Sequence, residues 1–396
     1  MILLFCLILT TISLLIFFLI KNKNLSIGKN LLITVLCTFL ILSIVLKPEI
    51  SLNSTLTGVR LFVNSVFVSI FPFLVLINIM MHYDGVHIYS KVLGNILCKP
   101  FRLPKECSVV LTVSILCGYP LGAKYACDLY EKGVIDHDTC ERLISIASNP
   151  SPLFVIGAVG TSMLKNPTAG LLLLISSYLS CAVMAMLIPP PKPSLSNKKI
   201  YVKDIGSHQL TIGDVLKSSI DNAFKISISI GGFIIFFSVI SSIIKNNILL
   251  DIVLKYICVI FNLQKEVIQG FLLGLVEMTN GCSLLSNLSL NDIYKLIIIS
   301  FLVTFSGLSI ISQTYSITYK YDFSLKLYIR RKLIQGFISS IITLALFNLN
   351  IFSNSKSAFN TEILGVRALD INTILILEML ILLLPIIIKK LFHRIS

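Results

Sequence analysis

Long apolar runs alternate along the chain with short polar segments, and the runs have the length of membrane helices. About 20 mainly apolar residues are needed to cross roughly 30 Å of hydrocarbon. Runs of that kind occupy Ile2–Ile20, Asn30–Leu46, Leu56–Met81, Glu141–Leu164, Thr168–Ile188, Val215–Ile244, Ile293–Tyr315, Leu333–Leu349 and Ile371–Ile388. Two further stretches, Cys107–Tyr130 and Val267–Leu290, are interrupted near the middle by turn formers and predict re-entrant helical hairpins. The expected fold is therefore an all-α polytopic membrane protein with about nine spans and two such hairpins. Met1–Ile20 lacks a basic leader and a small-residue cleavage site, so it reads as an uncleaved first helix with its N-terminus outside.

Charge decides between topologies. With the N-terminus outside and both interrupted stretches re-entrant, the segments 21–30, 82–106, 128–142, 190–217, 316–332 and 389–396 are cytoplasmic. They hold 22 of the 33 Lys and Arg, against 8 in the external segments. Treating either hairpin as a full span places the basic segment 316–332 outside, against the positive-inside rule. The overall composition agrees: 13% charged and 55% hydrophobic residues, with mean hydropathy +0.91. Soluble globular chains carry about 25% charged residues. This composition excludes a soluble enzyme, a disordered chain and a nucleic-acid-binding domain, despite the net charge of +14. The ten cysteines have no CxxC or Cys/His ligand spacing and read as small apolar packers.

The halves repeat. Ser69–Leu74 lines up with Ser229–Ile234 at an offset of 160, which also sets Cys117–Leu121 over Glu277–Gly281; an offset of 157 sets Asn149–Pro150 over Ser306–Gly307. Each half reads as a long helix broken near its middle, a hairpin, a second broken helix and a plain span. The topology makes the halves opposite in sense. The organisation expected is N-terminal helices over 1–50, a first repeat over 51–190, a cytoplasmic linker over 191–214, a second, inverted repeat over 215–350, and a C-terminal helix with a basic tail over 351–396. Inverted repeats with paired interrupted segments mark secondary transporters, with the substrate where the breaks meet.

Four breaks carry the candidate chemistry: Cys117–Gly122, Ser148–Pro152, Glu277–Gly281 and Ser306–Gly307. Unwound backbone in hydrocarbon survives where it lines a cavity, and half-helix N-termini present N–H groups to an anion. Gly118, Tyr119, Asn149, Ser151, Thr279, Asn280 and Ser306 are the break residues expected to meet a substrate. Glu277 at the second hairpin tip and Lys124 beyond the first add charge at depth, where ionisable residues default to function. Asp221 and Lys225, four residues apart, are expected to pair with each other, and Glu378 lies outside both repeats. His82, His87, His137, His208 and His393 fall in loops or the tail without a ligand partner, so no metal and no cofactor is expected. No GxSxG, HExxH or Walker pattern points to an enzyme.

Cys117-Gly118-Tyr119-Pro120-Leu121-Gly122-Ala123-Lys124, Ser148-Asn149-Pro150-Ser151-Pro152-Leu153-Phe154 with Gly157 and Gly160, and the Glu277–Gly281 stretch resemble the YlbJ-type sporulation integral membrane proteins. That group is placed in the nucleoside-recognition (Gate) domain superfamily, similar to concentrative nucleoside transporters. The resemblance covers roughly residues 50–350. It implies a multi-pass protein of the bacterial cell membrane, in the mother-cell-derived membrane around the forespore, that moves dipicolinate toward the forespore. The residues alone reach a transporter of a small anionic solute. Glu277 is followed by Met-Thr-Asn rather than paired with an adjacent Asn, and no carboxylate stands beside Asn149, which separates the chain from true nucleoside transporters. The expected partners are the anion and the lipid bilayer, with no nucleic acid, and a homo-oligomer is compatible with the pattern. The alternatives are a nucleoside or nucleobase permease and a non-transporting assembly protein of the sporulation membrane.

Overall fold

A computed structural model describes residues 25–190, 211–246, 254, 256, 258 and 264–349. The chain divides into two compact units, Met1–Asn348 and Leu349–Ser396, and the helices between Leu25 and Asn348 all belong to the first. The helices expected at Ile2–Ile20 and Ile371–Ile388, and most of the linker, lie outside the described residues.

Among the described residues there is no strand. Three helical stretches are long and apolar enough to cross a membrane, Pro167–Leu187, Ile212–Lys245 and Asp292–Tyr321; two sharply bent pairs bring the number to five if each pair is one span. One bend, of 102°, falls between α1 (Leu25–Leu46) and α2 (Pro48–Leu61). Pro48 has no N–H to give the helix before it and a φ suited to starting the next. After α2 the chain passes through a π-helical turn, Phe62–Phe67, into α3 (Val68–His82), and a 92° bend leads to α4 (Gly85–Val92) and the short α5 (Gly94–Cys98).

The four expected breaks are all present. The first, at Gly118–Pro120, separates α6 (Ser108–Cys117) from α7 (Leu121–Glu131). The second lies between α8 (His137–Ile146) and the π-helical segment Leu153–Met163, which precedes α9 (Pro167–Leu187). After the long α10 (Ile212–Lys245), the third break at Glu277 separates α11 (Lys265–Val276) from α12 (Met278–Ser286). The fourth, at Ser306, separates α13 (Asp292–Phe305) from α14 (Gly307–Thr318), and α15 (Leu325–Asn348) follows.

Contacts fix the sense of two pairings. A Cβ on Gly58 would lie 2.9 Å from the Ile235 backbone, and one on Gly231 would lie 2.8 Å from the Phe62 ring. Farther along, Phe71 meets Phe224 with centroids 4.6 Å apart, and Asn78 Nδ2 reaches Ser219 O at 3.4 Å. Residue numbers rise along α2–α3 as they fall along α10, so the two segments run antiparallel. Likewise Gly270 approaches Leu285, and Gly281 lies against Gly274 so closely that a Cβ would sit 2.3 Å from the Gly274 Cα. The Val267–Leu290 stretch is thus a helical hairpin turning at Glu277. Lipid tails are as apolar as the helices, so close backbone approach at small residues supplies much of the association.

Three sequence expectations are corrected. The first helix of the second half is not broken: α10 is continuous through Ser229–Ile234, and Gly231 serves the Phe62 contact instead of a kink. Asp221 and Lys225 do not pair; both are exposed on α10, and no ion pair joins them among the described residues. The segment 316–332, expected as a cytoplasmic stretch between spans, is partly helical, because α15 begins at Leu325 and takes Lys332 into the interior with no exposure. Arg142 is likewise buried, on α8, where its guanidinium donates to Ala185 O at 2.7 Å and Ile188 O at 3.3 Å. It closes the C-terminal end of α9, where orphan carbonyls favour a cation.

Gly122 and Gly232 test this packing in opposite directions. A Cβ on Gly122 would fall 1.8 Å from the Ala147 carbonyl oxygen, whereas one on Gly232 meets nothing within 4 Å. Gly122→Ala should lower the stability of the detergent-solubilised protein by about 2 kcal/mol or more. Gly232→Ala should leave it unchanged or raise it by up to about 1 kcal/mol, both read from thermal unfolding.

Candidate functional site

The breaks are tied to one another before any cavity is considered. Gly118 holds a φ of +79°, and a Cβ there would lie 2.5 Å from Ser151 N, so only glycine lets the first break lie against the second. Tyr119 N donates to Asn149 O at 2.7 Å, and the Tyr119 hydroxyl reaches Met278 Sδ at 2.9 Å and Val303 O at 3.2 Å. One residue thus touches the first, second and third breaks and α13. At the fourth, Ser306 and Gly307 have φ of +74° and +71°, and a Cβ on Gly307 would lie 3.0 Å from Gly274 O and 3.3 Å from Met278 N.

Around these turns lies a cavity of about 670 Å³. Its polar wall comes from Tyr119, Ser151, Glu277, Thr279, Ser309 and Gln313. Its apolar wall includes Phe154, Ile230 and Ile310. Among the described residues Glu277 is the one Asp, Glu, Lys or Arg in the lining, and it is buried. Its carboxylate accepts from Thr279 N at 3.1 Å and Asn280 N at 2.8 Å, which makes it the N-cap of α12. The charge therefore sits on the positive end of a helix.

Of the residues singled out from the sequence, Tyr119, Ser151, Glu277 and Thr279 line this cavity. Gly118 packs behind Ser151. Asn149 is buried behind the wall, its amide donating to Ile146 O at 3.1 Å and its carbonyl accepting from Gln335 Nε2 at 3.3 Å. Ser306 is fully buried, its hydroxyl donating to Phe305 O. Asn280 faces a different, smaller pocket. Lys124 is off the cavity: its ammonium lies 2.5 Å from Asp128 Oδ2 and 4.4 Å from the Tyr125 ring centroid. No cluster of metal-ligating side chains occurs among the described residues.

Sequence reasoning missed Lys332. Its ammonium has no exposure and no acidic partner among the described residues; it donates to Ser148 O at 2.7 Å and Gln335 Oε1 at 3.2 Å, and lies 6.0 Å from the Tyr119 ring centroid. Tyr328 binds the same break, with its hydroxyl 2.7 Å from Ser148 Oγ. The available signal was a polar stripe. Tyr328, Lys332, Gln335, Ser339 and Thr343 recur every three or four residues on α15, and all are buried.

Compared with known proteins, the chain is 28% identical over 344 residues to the sporulation integral membrane protein YlbJ of Bacillus subtilis (strain 168), a match spanning 82% of this chain and 84% of that one. No family model and no solved structure matches it. The YlbJ-type resemblance thus extends over most of both chains, and together with the apolar helices it makes this a multi-pass membrane protein.

The two lysines should separate under mutation. Lys124→Ala removes a partly exposed ion pair and should cost about 1 kcal/mol or less. Lys332→Ala leaves the Ser148 carbonyl without its ammonium donor and opens a void, and should cost at least about 2 kcal/mol. Unfolding of both variants in one detergent checks the order.

Proposed function

We propose that this YlbJ-type protein is a sporulation transporter that carries a small anionic solute through the cavity between its four helix breaks. Dipicolinate, moving across the mother-cell-derived membrane toward the forespore, is the solute that the resemblance implies. The observation that supports the reading is the gathering of the first three breaks, with the start of α14 after the fourth, around one 670 Å³ cavity. A membrane chain keeps unwound backbone only where it is buried in protein or lines a cavity, and transporters use discontinuous helices to form the substrate site.

The chemistry of the walls suits a planar, doubly carboxylated ring. Phe154, Ile230 and Ile310 offer apolar surface to the ring, while Ser151, Thr279 and Gln313 offer polar groups to the carboxylates. Charge is the harder requirement. A dianion in a low-dielectric site needs compensation, and Glu277 already occupies the N–H groups at the start of α12. Lys332, behind Tyr119, brings a basic group to 6.0 Å from the Tyr119 ring centroid. A proton or cation entering with the solute would supply the compensation.

Gly157 gives the test. It lines the cavity, and a Cβ there meets nothing closer than Leu153 Cδ1 at 3.7 Å. Gly157→Trp should therefore fill the cavity without disturbing the fold. Dipicolinate uptake into proteoliposomes should fall by about tenfold or more, the effect of a loss of about 1.4 kcal/mol of binding, and dipicolinate in spores should fall with it. Unchanged uptake with the cavity filled would refute the reading. Uptake of uridine in place of dipicolinate would favour the permease, and uptake of neither a non-transporting assembly role.

A further inference from the structure

A second pocket, of about 390 Å³, lies where α10 ends, between α2, α10 and the α11–α12 hairpin. It differs in kind from the central cavity, because nine of its twelve lining residues are polar. Ser238, Ser241, Ser242 and Lys245 form one stripe of α10 at helical spacing, with Asn53 from α2 and Asn280 from α12 opposite. Lys245 is the one formal charge in the lining; no carboxylate lines the pocket, and Lys245 has no acidic partner among the described residues. Ser241 is 3% exposed, and its hydroxyl has no hydrogen-bond partner among the described residues. A buried hydroxyl left unpaired costs on the order of 1–3 kcal/mol, a cost that a bound acceptor would remove.

We propose that this pocket is a second binding site, for a dissolved small oxyanion, a carboxylate or phosphate group, held by the Lys245 ammonium and by the hydroxyl and amide donors around it. The hydroxyls of Ser54 and Thr57 are already committed to helix carbonyls, Ile50 O at 2.7 Å and Asn53 O at 2.8 Å. The donors are therefore the hydroxyls of the α10 serines and Ser283 and the two asparagine amides. A cation ringed by uncharged donors is the chemistry of oxyanion recognition, since hydrogen bonds to an ionised acceptor are about twice as strong as neutral ones. The pocket also sits next to the central cavity. Glu277 and Thr279 line the cavity, Asn280 and Ser283 line the pocket, and one turn of α12 separates the two. On the transport reading, on which this last step rests, the pocket is the vestibule that receives the solute on one side of that turn.

The test uses the full-length protein carrying Ser283→Cys in nanodiscs of zwitterionic phosphatidylcholine, with modification at position 283 followed by mass spectrometry. A sulfonate-bearing thiosulfonate reagent should react about fivefold faster than its ammonium counterpart, the effect of one nearby cation in a partly screened pocket. Lys245→Gln should bring the two rates together. Dissolved phosphate or dipicolinate should slow the reaction in the Lys245 protein and not in Lys245→Gln. Equal or faster reaction with the ammonium reagent, or protection seen only when anionic phosphatidylglycerol replaces the neutral lipid, would overturn the proposal; the second outcome would assign the pocket to a lipid headgroup. Protection by dissolved anions without dipicolinate uptake in proteoliposomes would uphold the pocket and sink the transport reading. Uptake undiminished in Lys245→Gln, with no protection, would do the reverse.

Discussion

A break in a membrane helix exposes N–H and C=O groups that lipid cannot satisfy, so each break must be answered from within the protein. Here the answers come from another break, from a neighbouring helix and from the break's own side chain. Tyr119 N is paired with Asn149 O across the first two. The Ser148 carbonyl takes the Lys332 ammonium. The first N–H groups of α12 take the Glu277 carboxylate. Gly307 lies against the Gly274 carbonyl and Met278 N, which brings the fourth break onto the third. The cavity walls are therefore set by hydrogen bonding as much as by packing.

The scaffold around the breaks is built by close approach rather than by bulk. Gly160 and Gly170 allow the π-helical segment and α9 to meet with a prospective Cβ only 2.7 Å from the opposing Cα, and Gly274 and Gly281 do the same within the α11–α12 hairpin. Small residues at such crossings admit dispersion contacts along the backbone, the main attraction available between helices in lipid. Serine adds a second kind of contact. Ser300, Ser339, Thr304 and Thr343 form a continuous hydroxyl chain between α13 and α15, with separations of 2.7–2.9 Å. That chain extends the polar stripe of α15 beyond Lys332 and Gln335.

Three of the breaks were legible because their causes are local: Gly118 with Pro120, Pro150 with Pro152, and Gly307 stand at the turns themselves. The charges were not, because partner choice is tertiary. Lys124–Asp128 and Asp221–Lys225 have the same four-residue spacing, yet the first pair closes to 2.5 Å while the second stays apart on an exposed face. Spacing permits such a pair without requiring it. Lys332 was misread for a related reason. It stands at the edge of the apolar run that begins at Leu333, where a lysine ordinarily reaches the interface. Because α15 starts at Leu325, that edge lies inside the bundle. Asn280 was correctly placed beside the third break, but α12 is helical from Met278, so its side chain faces the pocket on the other side of the turn from Glu277.

The two buried charges near the cavity share one mode of support. Neither Glu277 nor Lys332 has an oppositely charged side chain in reach among the described residues; each is held mainly by backbone at a break, the anion by N–H groups and the cation by a carbonyl. Tyr119 stands between them, its ring toward Lys332 and its hydroxyl on Met278, the neighbour of Glu277. An isolated ion pair would lock two side chains together, and separating it would leave two uncompensated charges. Backbone dipoles at a break hold each charge independently of the other. The breaks thus supply backbone partners for two buried ionisable side chains that stand near the cavity and apart from each other.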